Sequence, residues 1–109
     1  MGISQEIIDE IIRRIKSIAD PDRIILFGSA AADKMTKDSD LDLLVVEPAP
    51  DNPRKQSVRI GDALRGLGYP IDVIVIPAQR FEETKNLIGG IAYPANKYGK
   101  VIYPAHEGN

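Results

Sequence analysis

The 109-residue chain has no cysteine, no tryptophan and one histidine, His106, and its aromatic complement stops at two phenylalanines and four tyrosines. Without cysteine there is no disulfide and no thiolate metal site, and a single histidine leaves no histidine-rich zinc centre, so a bound metal would have to be held by oxygen. A surplus of either charge is missing too. Fourteen basic residues stand against sixteen acidic ones, for a net charge of -2, which argues against the broad basic face that nucleic-acid binding needs. No apolar run approaches the roughly 18 residues of a membrane span, and Met-Gly-Ile-Ser-Gln-Glu lacks the basic-then-apolar pattern of a leader. The reading is a cytoplasmic protein with no membrane contact. There is no internal repeat and no low-complexity segment. With 43% hydrophobic residues, residues 1–109 read as one domain burying roughly two-thirds of the unfolded chain's surface.

What is present alternates helical and strand signals. From Ser4 to Ala19, isoleucines at 7, 8, 11, 12, 15 and 18 keep a 3.6-residue repeat, which predicts an amphipathic helix with Ser4 as N-cap and Pro21 beyond its end. The richness of this stripe suits core packing that extends into a partner surface. Arg23 to Phe27 reads as a buried strand broken by Gly28, with a short helix after Ser29 and an exposed loop over residues 33–39. Asp40 to Val46 is the second strand. Pro48 and Pro50 mark a connection, and Pro53 opens a helix reaching about Leu67 near Gly66 and Gly68. Ile71 to Ile76 is a third strand whose continuous apolar character predicts cover on both faces. Beyond Pro77 the pattern thins: a helical turn at Phe81-Glu82-Glu83, a break at Gly89-Gly90, a turn over Ala95 to Tyr98, a strand over Lys100 to Tyr103 and a flexible tail over residues 104–109. Tyr93, Tyr98 and Tyr103 read as packing residues. The sum is an α/β (α+β) domain, a small mixed sheet flanked by helices.

The chemistry concentrates between Ile24 and Val46. Asp40 and Asp42, two apart on a strand, share one face, and Asp72 opens a further strand that meets them if the two are neighbours in one sheet. Carboxylates about 6 Å apart repel by roughly 3 kcal/mol at an effective dielectric near 20, so clustering them is a liability unless a cation resides there. Oxygen-only donors suit a hard ion such as Mg²⁺, and a two-ion site suits in-line phosphoryl or nucleotidyl displacement. Gly28 lets backbone approach a phosphate, and the Ser29 hydroxyl adds to the anion site of a helix start. Each piece has a bland counterpart: Ser29 as a helix cap, Asp38-Ser39-Asp40 as a turn bonding its own backbone. The chain has neither a P-loop nor a Gly-x-Gly-x-x-Gly motif.

Phe27-Gly28-Ser29 followed by Ser39-Asp40-Leu41-Asp42-Leu43-Leu44-Val45 resembles the Gly-Ser…Ser-Asp-x-Asp-Leu signature of the DNA polymerase β-like nucleotidyltransferases. Ile71-Asp72-Val73, the short length and Gly99-Lys100-Val101-Ile102-Tyr103 make it similar to the minimal nucleotidyltransferases. The resemblance implies a polymerase β palm-like sheet, two Mg²⁺ ions held by Asp40, Asp42 and Asp72, and transfer of a nucleoside monophosphate, AMP from ATP. Asp72 becomes the base toward the acceptor hydroxyl, and Gly28, Ser29 and Ser39 contact the nucleotide. Many minimal members are antitoxins of an all-helical HEPN toxin, which implies a protein acceptor; an RNA end as acceptor and a homo-oligomer fit the same resemblance. The alternative it leaves is an antitoxin that neutralises by contact alone, because relatives carry Gly-Ser-Arg-Ala-Arg-Gly where this chain reads Gly28-Ser29-Ala30-Ala31-Ala32-Asp33. Lys34 and Lys37 read as solvated. Pro94 interrupts a region where relatives tend to carry a helix.

Overall fold

The computed structural model describes residues 3–28 and 40–104. The isoleucine repeat becomes α1 (Gln5–Ile18), whose N-cap Ser4 accepts a hydrogen bond from the Ile7 amide, the contact that satisfies one of the free donors of a helix start. Ile8, Ile11 and Ile15 are buried, and Ile7, Ile12 and Ile18 pack against the same cluster at its margin. The stripe therefore serves the core of this chain. After α1 the order is β1 (Arg23–Phe27), β2 (Leu41–Glu47), α2 (Pro53–Ala63), β3 (Ile71–Pro77), α3 (Ala78–Thr84), α4 (Ala92–Tyr98) and β4 (Lys100–Tyr103).

The strands form one mixed sheet in the order β3-β2-β1-β4. β1 runs antiparallel to both β2 and β4, whereas β2 and β3 are parallel, as a crossover through α2 allows. Residues Ile24, Leu26, Leu41, Leu43, Val45 and Val75 face a cluster completed by α1 and α2. Ile25, Leu44, Val46 and Ile76 face the opposite cluster with Phe81 of α3 and Ala92 and Ala95 of α4. Helices on both faces and a four-stranded mixed sheet are the α/β architecture expected from the alternating pattern. Among the described residues no helix is long and apolar enough to cross a membrane.

Several boundaries differ from expectation for identifiable reasons. β2 begins at Leu41, whose amide bonds Pro70 O at 2.8 Å, so Asp40 lies one residue before the strand. α2 stops at Ala63 rather than Leu67. Gly66 and Gly68 adopt φ of 89° and 91°, left-handed values that end a helix, and Arg14 of α1 donates to the Ala63 and Arg65 carbonyls at 3.2 and 2.8 Å. β3 is not covered on both faces: as a sheet edge, its side chains at Asp72 and Ile74 are exposed. α3 and α4 are fuller than the single turns anticipated. Pro94 does not interrupt α4, because it sits in the first turn, where no intrahelical N–H bond is lost. Tyr98 is 66% exposed and is not a packing residue. Ser29, Ser39, Ala30 to Asp33, Lys34, Lys37 and His106 lie outside the described residues.

Arg14 ties α1 to the end of α2, and its Nε also bonds Glu10 at 2.7 Å. Arg13 and Arg14 together hold the Glu10 carboxyl down to about 2. Arg14→Ala is expected to lower stability by about 1–2 kcal/mol, since the last carbonyl of α2, at Ala63, and that of Arg65 in the turn beyond it lose their charged donor. The check is a thermal melt, in which a drop of several degrees is expected.

Candidate active site

The parallel pairing of β2 and β3 puts Asp42 directly opposite Asp72, and the antiparallel pairing of β1 and β2 puts Phe27 opposite Asp42. One row across the sheet thus reads Asp72, Asp42, Phe27, with neighbouring strands about 4.8 Å apart. Alternation directs this row to the face that carries Leu44 and Ile76. The helices on that face cover only the rows farther along. Phe81 lies beneath the Arg23 guanidinium, 5.4 Å from its ring centroid, and Ala92 and Ala95 join the cluster around Ile25 and Leu44. Among the described residues, cover on this face stops before the acidic row; Asp40 and Asp72 are exposed, Asp42 is half-buried and Ile74 is 38% exposed.

The cost of this arrangement falls on Asp42. Its pKa is raised above the ordinary carboxylate range, first by desolvation under its neighbours and then by the charges of Asp72 and Asp40. A carboxylate in this position is costlier to charge than a free one, and an arriving positive charge would relieve that cost. Among the described residues no three His, Asp or Glu side chains meet as a ready-made metal cage. What the row provides is oxygen donors on two neighbouring strands plus one on the approach to β2, a hard-ion donor set with no nitrogen or sulfur in it.

Gly28 follows β1 with φ of 77°, a conformation L side chains adopt at a cost. A Cβ there would be driven into the Asp42 carboxylate, with Asp42 Cγ at 3.4 Å. The sequence reading assigned Gly28 to phosphate approach; the structure gives it a second duty, clearing room for the central carboxylate. Phe27 was missed as a site residue, although the five-residue register from Arg23 to Val46 carries it to Asp42. Ile74 beside Asp72 was missed as well, because an apolar residue in an apolar run gives no sign that its strand is an edge.

Two outcomes follow. Asp42→Asn removes a carboxylate that the fold destabilises. Its raised folded pKa means that the native state keeps this proton to higher pH than the unfolded chain, so wild-type stability is lost as pH rises through the carboxylate range. Without divalent ions the variant should melt higher than wild type at pH 7, by on the order of 1 kcal/mol, and the gap should vanish when melts are repeated below the ordinary Asp pKa. Gly28→Ala should cost about 1–3 kcal/mol through its left-handed backbone and the displaced Asp42, as read by denaturant unfolding.

A family model described as a nucleotidyltransferase domain matches residues 8–93, a span that contains Gly28, Asp40, Asp42 and Asp72. No curated protein matches the chain. With most of its length matched and a four-stranded mixed sheet between helices carrying an acidic row, the chain belongs to the nucleotidyltransferase domain family.

Proposed function

We propose that the chain transfers AMP from ATP to a hydroxyl of a protein partner, as the antitoxin of a HEPN-type helical toxin. The observation that carries the transfer chemistry is the register of Asp42 beside Asp72 on parallel strands, where desolvation and the neighbouring acids raise the Asp42 pKa. The donor chemistry suits Mg²⁺, which Asp40, Asp42 and Asp72 would hold; when bound, it supplies positive charge to the acids and to the phosphates. Asp42, central and half-buried, sets the position of the reacting phosphate relative to the row. Asp72 is exposed at the sheet edge, within reach of an incoming hydroxyl, whose proton it accepts as the oxygen bonds the α-phosphorus and pyrophosphate leaves. The Gly28 backbone, with Ser29 and Ser39 of the adjoining segment, contacts the nucleotide.

The partner and the acceptor rest on the motif resemblance. A second reading, neutralisation by contact without transfer, is favoured by one sequence observation: Ala30, Ala32 and Asp33 stand where relatives carry arginine and glycine, removing positive charge from the phosphate side.

Incubation of the protein and its helical partner with α-labelled ATP and Mg²⁺ separates the two. Label on the partner, reduced about 10³-fold by Asp42→Asn, is expected. Neutralisation that survives the substitution with no label in wild type would select the contact reading. Mg²⁺ with ATP at about 100 times its dissociation constant should also raise the wild-type melting temperature, since binding to the folded state alone adds about 2.7 kcal/mol.

A further inference from the structure

The end of α4 is brought to the acidic row by strand pairing. Lys100, two residues after the last residue of the helix, pairs with Leu26 of β1, and Phe27, the next residue of β1, lies opposite Asp42. Gly99 keeps the junction close. A Cβ there would be driven into Ala95 O and Ile25 Cγ2 and would stand 3.1 Å from Leu26 O. Tyr98, the last residue of α4, therefore sits at the level of the row, two strand spacings or about 10 Å from Asp42.

The course of the helix decides where its side chain goes. Ala92 and Ala95 are the buried side of α4, packed with Ile25 and Leu44, and the helix ends where Gly99 meets β1. On a right-handed helix with that course, residue 98 leaves on the flank toward β1 and β2, and residues 93 and 97 rise on the outer side. Lys97 Nζ lies 5.5 Å from the Tyr98 ring centroid and 5.6 Å from that of Tyr93, and it donates to Tyr93 Oη at 3.2 Å. The Tyr98 ring is thus held by a cation on one side, and its exposure of 66% leaves aromatic surface for a second stack.

We propose that Tyr98 is the stacking platform for the purine base of the nucleotide whose phosphates meet the acidic row. This rests on the nucleotidyl-transfer reading and adds the position of the base to it. The separation from Asp42 is one that a single nucleoside spans. Flat apolar surface is buried when a base lands on the ring, and a ring already fixed by Lys97 has little side-chain freedom left to lose. A purine lays two fused rings on the platform where a pyrimidine lays one, so ATP and GTP are favoured over CTP and UTP. Stacking reads no base edge, so the platform accepts adenine and guanine alike. The site then runs across the sheet in order, with the acceptor at Asp72, the reacting phosphate at Asp42 and the base at α4.

Isothermal titration calorimetry of the full chain with ATP, CTP and inorganic tripolyphosphate, each with Mg²⁺, tests the assignment. Wild type is expected to bind ATP at least about threefold tighter than CTP. Tyr98→Ala should weaken ATP about tenfold and Tyr98→Phe should keep it within about twofold, while tripolyphosphate, which has no base, binds all three proteins alike. Lys97→Met, which releases the ring, should weaken ATP about threefold with tripolyphosphate unchanged. Both positions are exposed, which keeps folding out of the comparison. ATP binding that is equal in wild type and Tyr98→Ala would overturn the platform and leave the transfer reading intact. Parallel loss of ATP and tripolyphosphate in Tyr98→Ala would overturn it as well, by assigning the phosphates to α4. A wild type that binds neither ATP nor tripolyphosphate would overturn both readings.

Discussion

Everything at the candidate site depends on one repulsive contact, the carboxylates of Asp42 and Asp72 brought side by side by parallel strand pairing. Like charges at this spacing oppose the fold, and the rest of the sheet has to hold them there. The holding force is apolar. Leu41, Leu43, Leu44, Val45 and Val46 of the same strand are all buried, each worth on the order of 1.5–3 kcal/mol relative to exposure. A strand anchored by five such residues keeps its register against a local electrostatic penalty, because slipping by one residue would break the packing of both clusters and turn Asp42 into the one that holds Leu41, Leu43 and Val45.

The two faces of the sheet divide the work. α1 and α2 close one side along its length, with Arg14 joining the helices at one end and Glu47 lying near the start of α2 at the other. α3 and α4 are seven residues each and, among the described residues, do not reach over the acidic row on the second side. Longer helices on this face would desolvate the row further and raise the cost at Asp42. Gly28 completes the local fit by leaving out the one atom group that the Asp42 carboxylate needs to displace. The strand ends far from this row carry a different chemistry, where Glu47, Gln56 and Arg59 form a separate polar chain beside two clefts.

Much of the fold was legible along the chain because its signals are local. The isoleucine period gave α1 with its Ser4 cap, and the bounds of β1 and β4 agree with the structure residue for residue. Pro53 marked the first residue of α2. The errors fall where a distant partner decides. The end of α2 depends on glycines in left-handed conformation and on Arg14 from another helix. The half-open state of β3 depends on its edge position, and an apolar run looks the same at an edge as in the middle of a sheet. Tyr98 looked like packing and is exposed, because the inward side of α4 is taken by Ala92 and Ala95.

For the candidate site the division is similar. Residue type and spacing alone determined the oxygen-only side chains of Asp40, Asp42 and Asp72, the glycine after β1 and the alternation that sends Asp42 to the face opposite Leu41 and Leu43, since these follow from side-chain identity and the period of a strand. Only the tertiary structure decided that Asp72 faces Asp42 in register, that Phe27 closes the same row and that the helices stop short of it. It also decided that Glu47 is buried with no ion pair to a described lysine or arginine. Each of these depends on which strands become neighbours and on how far a helix reaches, and both are settled by long-range packing that no local window of sequence contains.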